Sequence, residues 1–307
     1  MKKKHLLTLL AIIFTTFLVI GCSNSDDSDK NADGDKKATE VKTKIQFTGS
    51  STLAPVIQAI ADDFTNKYGT WDKVDSALPN KDIEININSG GSGEGAKGVI
   101  EGTTDIGMLA RGVKDEEKAQ ITDPVEYLVG IDALTLAVHP ENPILTIKDD
   151  LTKEEIVKIF SGEYATWKDF DPSLPDEEII VITRDIGGGA HEVFQEKVMG
   201  DVDVKADAIQ ASSMGALVTK IMENKYAIGY ASFGVANQNE GKVVMLKVDG
   251  IEPTVENILD GKYIIQRPLI LLTSGKLDAA EQAFVDYILG EEGQKLVEEM
   301  GFVPAAQ

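Results

Sequence analysis

The stretch Thr183–His191, TRDIGGGAH, decides how the rest of the chain is interpreted. It follows the apolar β-branched run Ile179–Ile182 and precedes a segment, His191–Val198, with the pattern of a helix. An arginine therefore ends a predicted strand, and three glycines stand where a helix begins. Glycines let a backbone approach a ligand closely, free amides at a helix start favour an anion, and arginine adds donors that suit oxyanions. One such turn is weak evidence, because Gly-rich strand-to-helix turns are common.

Two further turns of this kind lie upstream. Gly49–Thr52 follows a short predicted strand and precedes a helix whose apolar residues recur between Val56 and Tyr68. Ser89–Gly95 follows an alternating strand and precedes a short helix. Hydroxyl residues often cap helices, but three in a row after a glycine suggest a further role. The alternation of strands and helices predicts an α/β fold, with the three turns at sheet carboxyl ends where ligands bind.

The amino terminus has the pattern of an export signal. Three lysines precede an apolar run, Leu6–Ile20, which is shorter than the roughly 20 residues of a membrane span. The run ends in Val19-Ile20-Gly21-Cys22, which resembles a bacterial lipoprotein cleavage site. This resemblance implies a signal peptide over 1–21, lipid attached to Cys22 and a cell-membrane location on the extracytoplasmic face. Residues 22–43 contain almost nothing apolar, and we expect a disordered tether.

The remaining composition excludes several classes of function. The formal net charge of −21 is unlike a nucleic-acid-binding protein, which needs a basic surface, although a local anion site is compatible with it. Cys22 is the single cysteine and there are three histidines, so we expect no metal site, no cofactor and no disulfide framework. The carboxylates are scattered, without the pattern of a calcium loop or a catalytic pair.

Taken together, the motifs resemble the phosphate-binding lipoproteins of ABC importers. The matching segments are Gly49–Pro55, Gly91–Gly95, Asp105–Met108, Arg184 with its glycine turn, Thr152–Gly162, Ala227–Tyr230, Gly250–Thr254, Gly293–Val297 and Gly301–Pro304. The resemblance covers essentially residues 44–304. It implies a two-lobed periplasmic-binding-protein fold of type II, with two mixed sheets flanked by helices and joined by two hinge strands. Lobe 1 would comprise 44–136 with 234–307, and lobe 2 would comprise 137–233.

The same resemblance implies the ligand and the residues that hold it. Inorganic phosphate would bind between the lobes of a monomer that delivers it to ABC permease subunits. The expected ligand-binding residues are Ser51, Thr52, Ser92, Gly93, Arg111, Arg184, Gly188, Gly189 and Ala190. For Arg111, a bridge to an acidic residue is the alternative to ligand contact.

The sequence departs from the family at two places. Gly187-Gly188-Gly189-Ala190 stand where the family usually has Gly-Ser-Gly-Thr. At the second place, Ala110 stands where the family usually has Ser or Asp, and Leu109 stands where it usually has Ser. Hydrogen bonds to a charged group contribute about 1.5–3 kcal/mol each, so two lost hydroxyls would weaken binding by about 10²–10⁴-fold unless other groups compensate. Arg111, Ser213, Thr52, Thr183 and His191 are candidates for such compensation.

The sequence is compatible with three classes of function. The first is a solute-binding protein for phosphate, for another oxyanion, or for a phosphorylated or phosphonate ligand. The second is a surface sensor or adhesion protein that keeps the fold without transport. The third is a hydrolase using Ser51 or Ser92, but a nucleophilic serine needs an oriented base, and neither His139 nor His191 lies in a recognisable context. We therefore expect no enzyme activity.

Overall fold

A computed structural model describes residues 42–186 and 188–305 of the chain. The predicted signal segment 1–21, the lipidation residue Cys22 and most of the predicted tether lie outside these residues. Within the described ranges, no helix is both long and apolar enough to span a bilayer.

The described chain alternates strands and helices. The strands are β1 (Lys44–Ser50), β2 (Glu84–Gly90), β3 (Ile106–Leu109), β4 (Pro124–Val138), β5 (Asp150–Leu151), β6 (Ile180–Arg184), β7 (Ile209–Ala211), β8 (Ala227–Ser232), β9 (Val244–Val248), β10 (Gln266–Ser274) and β11 (Val303–Pro304). The α-helices are α1 (Ala54–Tyr68), α2 (Trp71–Val74), α3 (Ser92–Glu101), α4 (Asp115–Lys118), α5 (Lys153–Ser161), α6 (Trp167–Phe170), α7 (Gly189–Phe194), α8 (Met214–Met222), α9 (Phe233–Asn237), α10 (Val255–Leu259), α11 (Ala279–Leu289) and α12 (Glu291–Glu299).

The sheet is mixed, in the order β2-β1-β3-β10-β4-β8-β6-β7. β1 lies parallel to β2 and β3, whereas β10 is antiparallel to both β3 and β4. On the other side, β8 is antiparallel to β4 and parallel to β6. The strands expected in two sheets therefore form one hydrogen-bonded path, because the early part of β4 pairs with β10 and its last five residues pair with β8.

Two large hydrophobic clusters lie along this path. The first cluster contains side chains between Ile45 and Val129 and again between Leu269 and Phe302. The second cluster contains side chains from Ala133 to Ile265, together with Val303. The chain thus passes from one cluster to the other between Val129 and Ala133 on β4, and back between Ile265 and Leu269 at the start of β10.

The sequence-based lobe boundaries stay a prediction, and the packing favours moving one of them. Ala236, Leu246, Ile258 and Tyr263 belong to the second cluster, although the sequence places residues 234–265 in lobe 1. They pack there because β9 pairs with the end of β4 and with β5. We therefore propose that the second crossing lies near residue 266.

One local prediction agrees with the observed elements, and another differs in its bounds. The Thr152–Glu155 capping box opens α5: the Thr152 hydroxyl accepts from the Glu155 amide, and the Glu155 carboxylate accepts from the Thr152 amide. The predicted helix 191–198 instead begins at Gly189 and passes into a π-helical turn, Gln195–Met199.

Helix α3 packs directly on β1 and β3 through Gly95. A Cβ atom on Gly95 would lie 2.8 Å from the Met108 carbonyl oxygen and 2.9 Å from that of Thr48. Contacts this short are not seen for real Cβ atoms, so the approach of the helix requires glycine. This approach places Ser92, at the start of the helix, beside the ends of both strands.

Gly95→Ala is expected to lower the free energy of unfolding by about 1–3 kcal/mol, because the added methyl group forces α3 away from the sheet. Gly215→Ala is the matched control, since it also lies in a helix but a Cβ there meets open space. The control should be neutral or stabilising by up to about 1 kcal/mol. Urea denaturation of both variants tests this, and equal stabilities would contradict the packing described for Gly95.

Candidate anion-binding site

Ser51 lies at the centre of the candidate site. It follows β1 and is 7 % exposed. The turn is held by Ser50, whose hydroxyl oxygen accepts from the amides of Thr52 and Leu53 at 3.2 Å each. This leaves the Ser51 side chain directed toward the second half of the chain. Its hydroxyl oxygen accepts from Arg184 Nη1 at 2.9 Å and from the Met214 amide at 3.3 Å.

Arg184 ends β6 with its guanidinium group buried. Asp185 Oδ1 accepts from Arg184 Nε at 3.0 Å and from Nη2 at 2.7 Å, and the carbonyl oxygens of Ala211 and Ser212 accept on the same side. These contacts orient the guanidinium so that Nη1 reaches Ser51. The structure thus brings together two predicted site residues that are 133 positions apart in the sequence.

Ser92 and Gly189 form the second contact between the predicted turns. The Ser92 hydroxyl accepts from the Ala110 amide at 3.0 Å. A Cβ atom on Gly189 would overlap Ser92 Oγ and would lie 2.7 Å from Ser92 Cβ. The Gly189 backbone at the start of α7 therefore lies against the Ser92 side chain at the start of α3. Only glycine at position 189 permits so close an approach.

The other predicted turn residues lie nearby. Gly93 is the second residue of α3, and Ala190 is the second residue of α7 and is buried. The first amides of a helix have no acceptor within the helix, so those of Gly189 and Ala190 face outward from α7. Gly188 differs, because its amide donates to the Asp185 carbonyl oxygen at 2.8 Å.

Arg111 lies beside this site, but acidic side chains hold its guanidinium. Glu117 accepts from Nη1 at 2.8 Å and from Nη2 at 2.6 Å, and Glu192 on α7 lies 2.6 Å from Nε as an ion pair. Burial opposes the charge of Arg111, yet these carboxylates raise its pKa overall. Lys114 also pairs with Glu192 at 3.1 Å. Contact of Arg111 with a ligand stays a prediction, and its pairs favour the alternative of a bridge.

A buried ion pair that the sequence analysis did not single out lies behind Thr52. Arg267 donates to Asp132 Oδ2 through Nε at 2.9 Å and through Nη2 at 2.7 Å, and Ser232 donates to Oδ1 at 2.9 Å. Arg267 also donates to the Thr52 hydroxyl at 3.0 Å and to the Ala110 carbonyl oxygen at 3.3 Å. Burial lowers the pKa of Arg267, and Asp132 opposes this.

The sequence contained a signal for this pair. Asp132 interrupts the apolar run Tyr127–Val138, and Arg267 directly precedes the apolar run Pro268–Leu272. A charged residue inside a buried strand needs a partner of opposite charge. Pairing the two would have required the register of β4 with β10, which places Arg267 opposite Asp132.

A chain of hydroxyl groups supports the end of β6. The Tyr230 hydroxyl accepts from the Arg184 amide at 2.9 Å and lies 2.6 Å from Thr183 Oγ1, which lies 3.3 Å from His191 Nδ1. Burial raises the pKa of Tyr230 to about 12. Burial also lowers the pKa of His191, while Asp185 and Glu192 oppose this shift. A neutral imidazole can then accept from the hydroxyl chain.

The arrangement concentrates hydrogen-bond donors at one point. Ser51 contacts the Arg184 guanidinium, Gly188 lies beside that guanidinium, and Ser92 meets Gly189 at the start of α7. Hydroxyl, guanidinium and helix-start amide groups bind oxyanions. In the described ranges, no cluster of three or more histidine, cysteine or carboxylate side chains could hold a metal ion.

Comparisons with known proteins identify the family. A model of the PBP superfamily domain matches residues 34–292. The phosphate-binding protein PstS of Staphylococcus saprophyticus is 33% identical over 89% of this chain and 82% of that protein.

The chain belongs to the PstS family of phosphate-binding proteins.

Solved structures agree with this family and confirm the predicted fold class. A substrate-binding protein assigned to a phosphate ABC transporter of Clostridium perfringens, solved with bound phosphate, has a TM-score of 0.74 at 30% identity. The structural match covers 86% of this chain and 100% of the Clostridium perfringens chain. A phosphate transport receptor from Vibrio cholerae shares the fold at 23% identity, with a TM-score of 0.66 over 85% of this chain and 100% of its own.

The buried Asp132–Arg267 pair of this PstS-family protein leads to a prediction about the free energy of unfolding. Asp132→Leu should lower the free energy of unfolding by about 3–5 kcal/mol, because it leaves the Arg267 guanidinium buried without its counter-charge. The double variant Asp132→Leu/Arg267→Met should be more stable than Asp132→Leu alone, because both charges are gone. Urea denaturation measures both variants.

The exposed pair Lys295–Glu299 on α12 provides the control for this measurement. Glu299→Gln should change the free energy of unfolding by less than about 1 kcal/mol, because exposed pairs are screened by water and salt. A double variant no more stable than Asp132→Leu would mean that the unpaired charge is not the source of the loss.

Proposed function

We propose that the protein is an extracytoplasmic solute-binding lipoprotein that captures inorganic phosphate between two lobes and delivers it to an ABC importer permease. Its family consists of binding proteins rather than enzymes, and its members carry phosphate-binding names. The proposal for this chain rests on the contact between Ser51 and Arg184, because it unites two of the three predicted anion-binding turns. The contact between Ser92 and Gly189 adds the third turn.

Capture requires the two hydrophobic clusters to move relative to each other. Ser51 follows β1, whose side chains lie in the first cluster, and Ser92 opens α3, which packs on β1 and β3. Arg184 and Gly189 adjoin the second cluster. The ion pairs of Glu192 with Arg111 and Lys114 also run between these segments. We infer that the described conformation corresponds to a closed form, and that phosphate would shift the population toward it.

The ligand part of this proposal predicts specific losses of affinity. Ser51→Ala should weaken phosphate binding about 10–100-fold, because a hydrogen bond to a charged group contributes about 1.5–3 kcal/mol. Gly189→Ala should weaken it to a similar or greater extent, because its methyl group would overlap the Ser92 hydroxyl and hold the site open. Isothermal titration calorimetry on the purified chain, stripped of bound ligand, measures both effects.

Ser76→Ala is the matched control, since Ser76 is exposed and lies far from these turns in the sequence. It should bind phosphate as the unaltered protein does. Unfolding temperatures of all variants without ligand show whether each remains folded. Absence of phosphate binding by the unaltered protein would reject the proposed ligand, and unchanged affinity in Ser51→Ala would reject the proposed site.

The membrane part of the proposal rests on the sequence around Cys22, which lies outside the described residues. Cys22→Ser should remove lipid attachment and release the protein from cells into the medium, because no other lipid-accepting cysteine exists in the chain. Metabolic labelling with palmitate, followed by fractionation of cells and medium, tests this. A Cys22→Ser protein that stays with the membrane fraction would exclude the lipid anchor as the means of attachment.

A further inference from the structure

The hydroxyl group of Ser51 is fixed as a hydrogen-bond donor. A serine oxygen has two acceptor positions and one proton to donate. Arg184 Nη1 and the Met214 amide occupy both acceptor positions, at 2.9 Å and 3.3 Å. The oxygen therefore has no free position to accept a proton from a ligand, and the hydroxyl proton is available for donation.

The neighbouring hydroxyl groups are restricted in the same way. Ser92 Oγ accepts from the Ala110 amide, and Thr52 Oγ1 accepts from Arg267. Each keeps at most one acceptor position and has a proton of its own to donate. Ala110, whose backbone contacts both Ser92 and Arg267, has a methyl side chain that can accept nothing.

Carboxylates around these groups are already engaged. Asp132 accepts from Arg267 and Ser232 on its two oxygens, and it is fully buried. Asp185 accepts on Oδ1 from the Nε and Nη2 edge of Arg184, which leaves it on the side of the guanidinium away from Ser51.

Three further carboxylates lie near the turns of the site. Glu117 and Glu192 pair with Arg111. Glu94, near the start of α3, is exposed and folds back against Gly90. Among the residues that the structure describes, the groups that meet Ser51 and Ser92 are thus hydrogen-bond donors, and no carboxylate is hydrogen-bonded to either serine.

We propose that this site selects its ligand by charge rather than by its protons, and takes doubly charged tetrahedral oxyanions, the hydrogen phosphate dianion and sulfate alike. The inference rests on the proposed phosphate function and specifies its ligand. A second proton on phosphate removes one of the two negative charges and places a further donor against donors. The dihydrogen form of phosphate therefore binds poorly, and sulfate, which carries no proton, competes for the site.

Calorimetry with phosphate and sulfate on the ligand-free protein tests this over a range of pH. Between about pH 6 and about pH 8, phosphate affinity should rise about tenfold relative to sulfate, because phosphate loses its second proton near neutrality and sulfate does not titrate there. At about pH 8 the two dissociation constants should lie within about tenfold of each other.

Sulfate also serves as the control for titration of the protein. His191 and Tyr230 lie behind Arg184. The charged groups near the site include the pairs Arg267–Asp132 and Arg184–Asp185, and Arg111 with Glu117 and Glu192. A change in any of them with pH affects both anions. Parallel pH profiles would assign the effect to the protein and overturn the proposal, as would sulfate binding more than about 100-fold weaker than phosphate.

Ala110→Asp provides a second test, because it adds a carboxylate where the structure has none. This variant should lose affinity for sulfate by at least about tenfold relative to phosphate, since only phosphate can donate a proton to the new carboxylate. Ala110→Asn is the matched control for size, and its amide should leave the ratio of the two affinities close to that of the unaltered protein. An unchanged ratio in a folded Ala110→Asp protein would contradict the proposal.

The outcomes separate this inference from the function on which it rests. Because Ala110 is buried, a substitution there could prevent folding, and unfolding temperatures show whether each variant is folded. If Ala110→Asp does not fold, the comparison of phosphate and sulfate binding to the unaltered protein tests the proposal. Strong phosphate binding without sulfate competition would overturn the selectivity and leave the phosphate function intact. Absence of binding by either anion at every pH would overturn both.

Discussion

The buried pair of Arg267 and Asp132 is the interaction on which the site depends most. Charges without solvent are costly unless paired and hydrogen-bonded, and here four donors of one guanidinium have acceptors in the fold. The pair lies where the chain passes between its two hydrophobic clusters. Arg267 also donates to the Thr52 hydroxyl and to the Ala110 carbonyl oxygen. The ion pair therefore helps to fix the turn after β1 and the turn after β3.

The site is assembled from turns that follow separate strands rather than from one continuous motif. Ser51 follows β1 and its hydroxyl is held by Arg184, and Ser92 opens α3 and its hydroxyl is held by the Ala110 amide. Groups held in this way need little rearrangement to meet an anion, which limits the entropy lost on binding. The carboxylates serve as counter-ions to the arginines and so keep an acidic protein able to present donors locally.

Local patterns in the sequence predicted much of this, and long-range contacts account for what they missed. The glycine and hydroxyl turns led to the prediction of Ser51, Ser92 and Arg184 as site residues, because each stands near a strand end that periodicity can locate. The contacts Ser51–Arg184 and Ser92–Gly189 are compatible with that prediction. The guanidinium of Arg111 could not be placed, since its partners depend on where α4 and α7 lie. Asp132 and Arg267 were missed because they are 135 residues apart and meet only through strand register. The lobe boundaries depend in the same way on the pairing of β9.

Strand β4 runs without interruption through both halves of the molecule. A domain hinge made of loops could swivel freely, whereas a strand that keeps partners on both sides can only bend and twist. Any movement of one hydrophobic cluster relative to the other would therefore deform the paired strands β4 and β10. The two halves consequently share one backbone ladder, so neither can unfold without exposing strand edges of the other. An importer receptor of this construction would cycle between its forms as a single cooperative body.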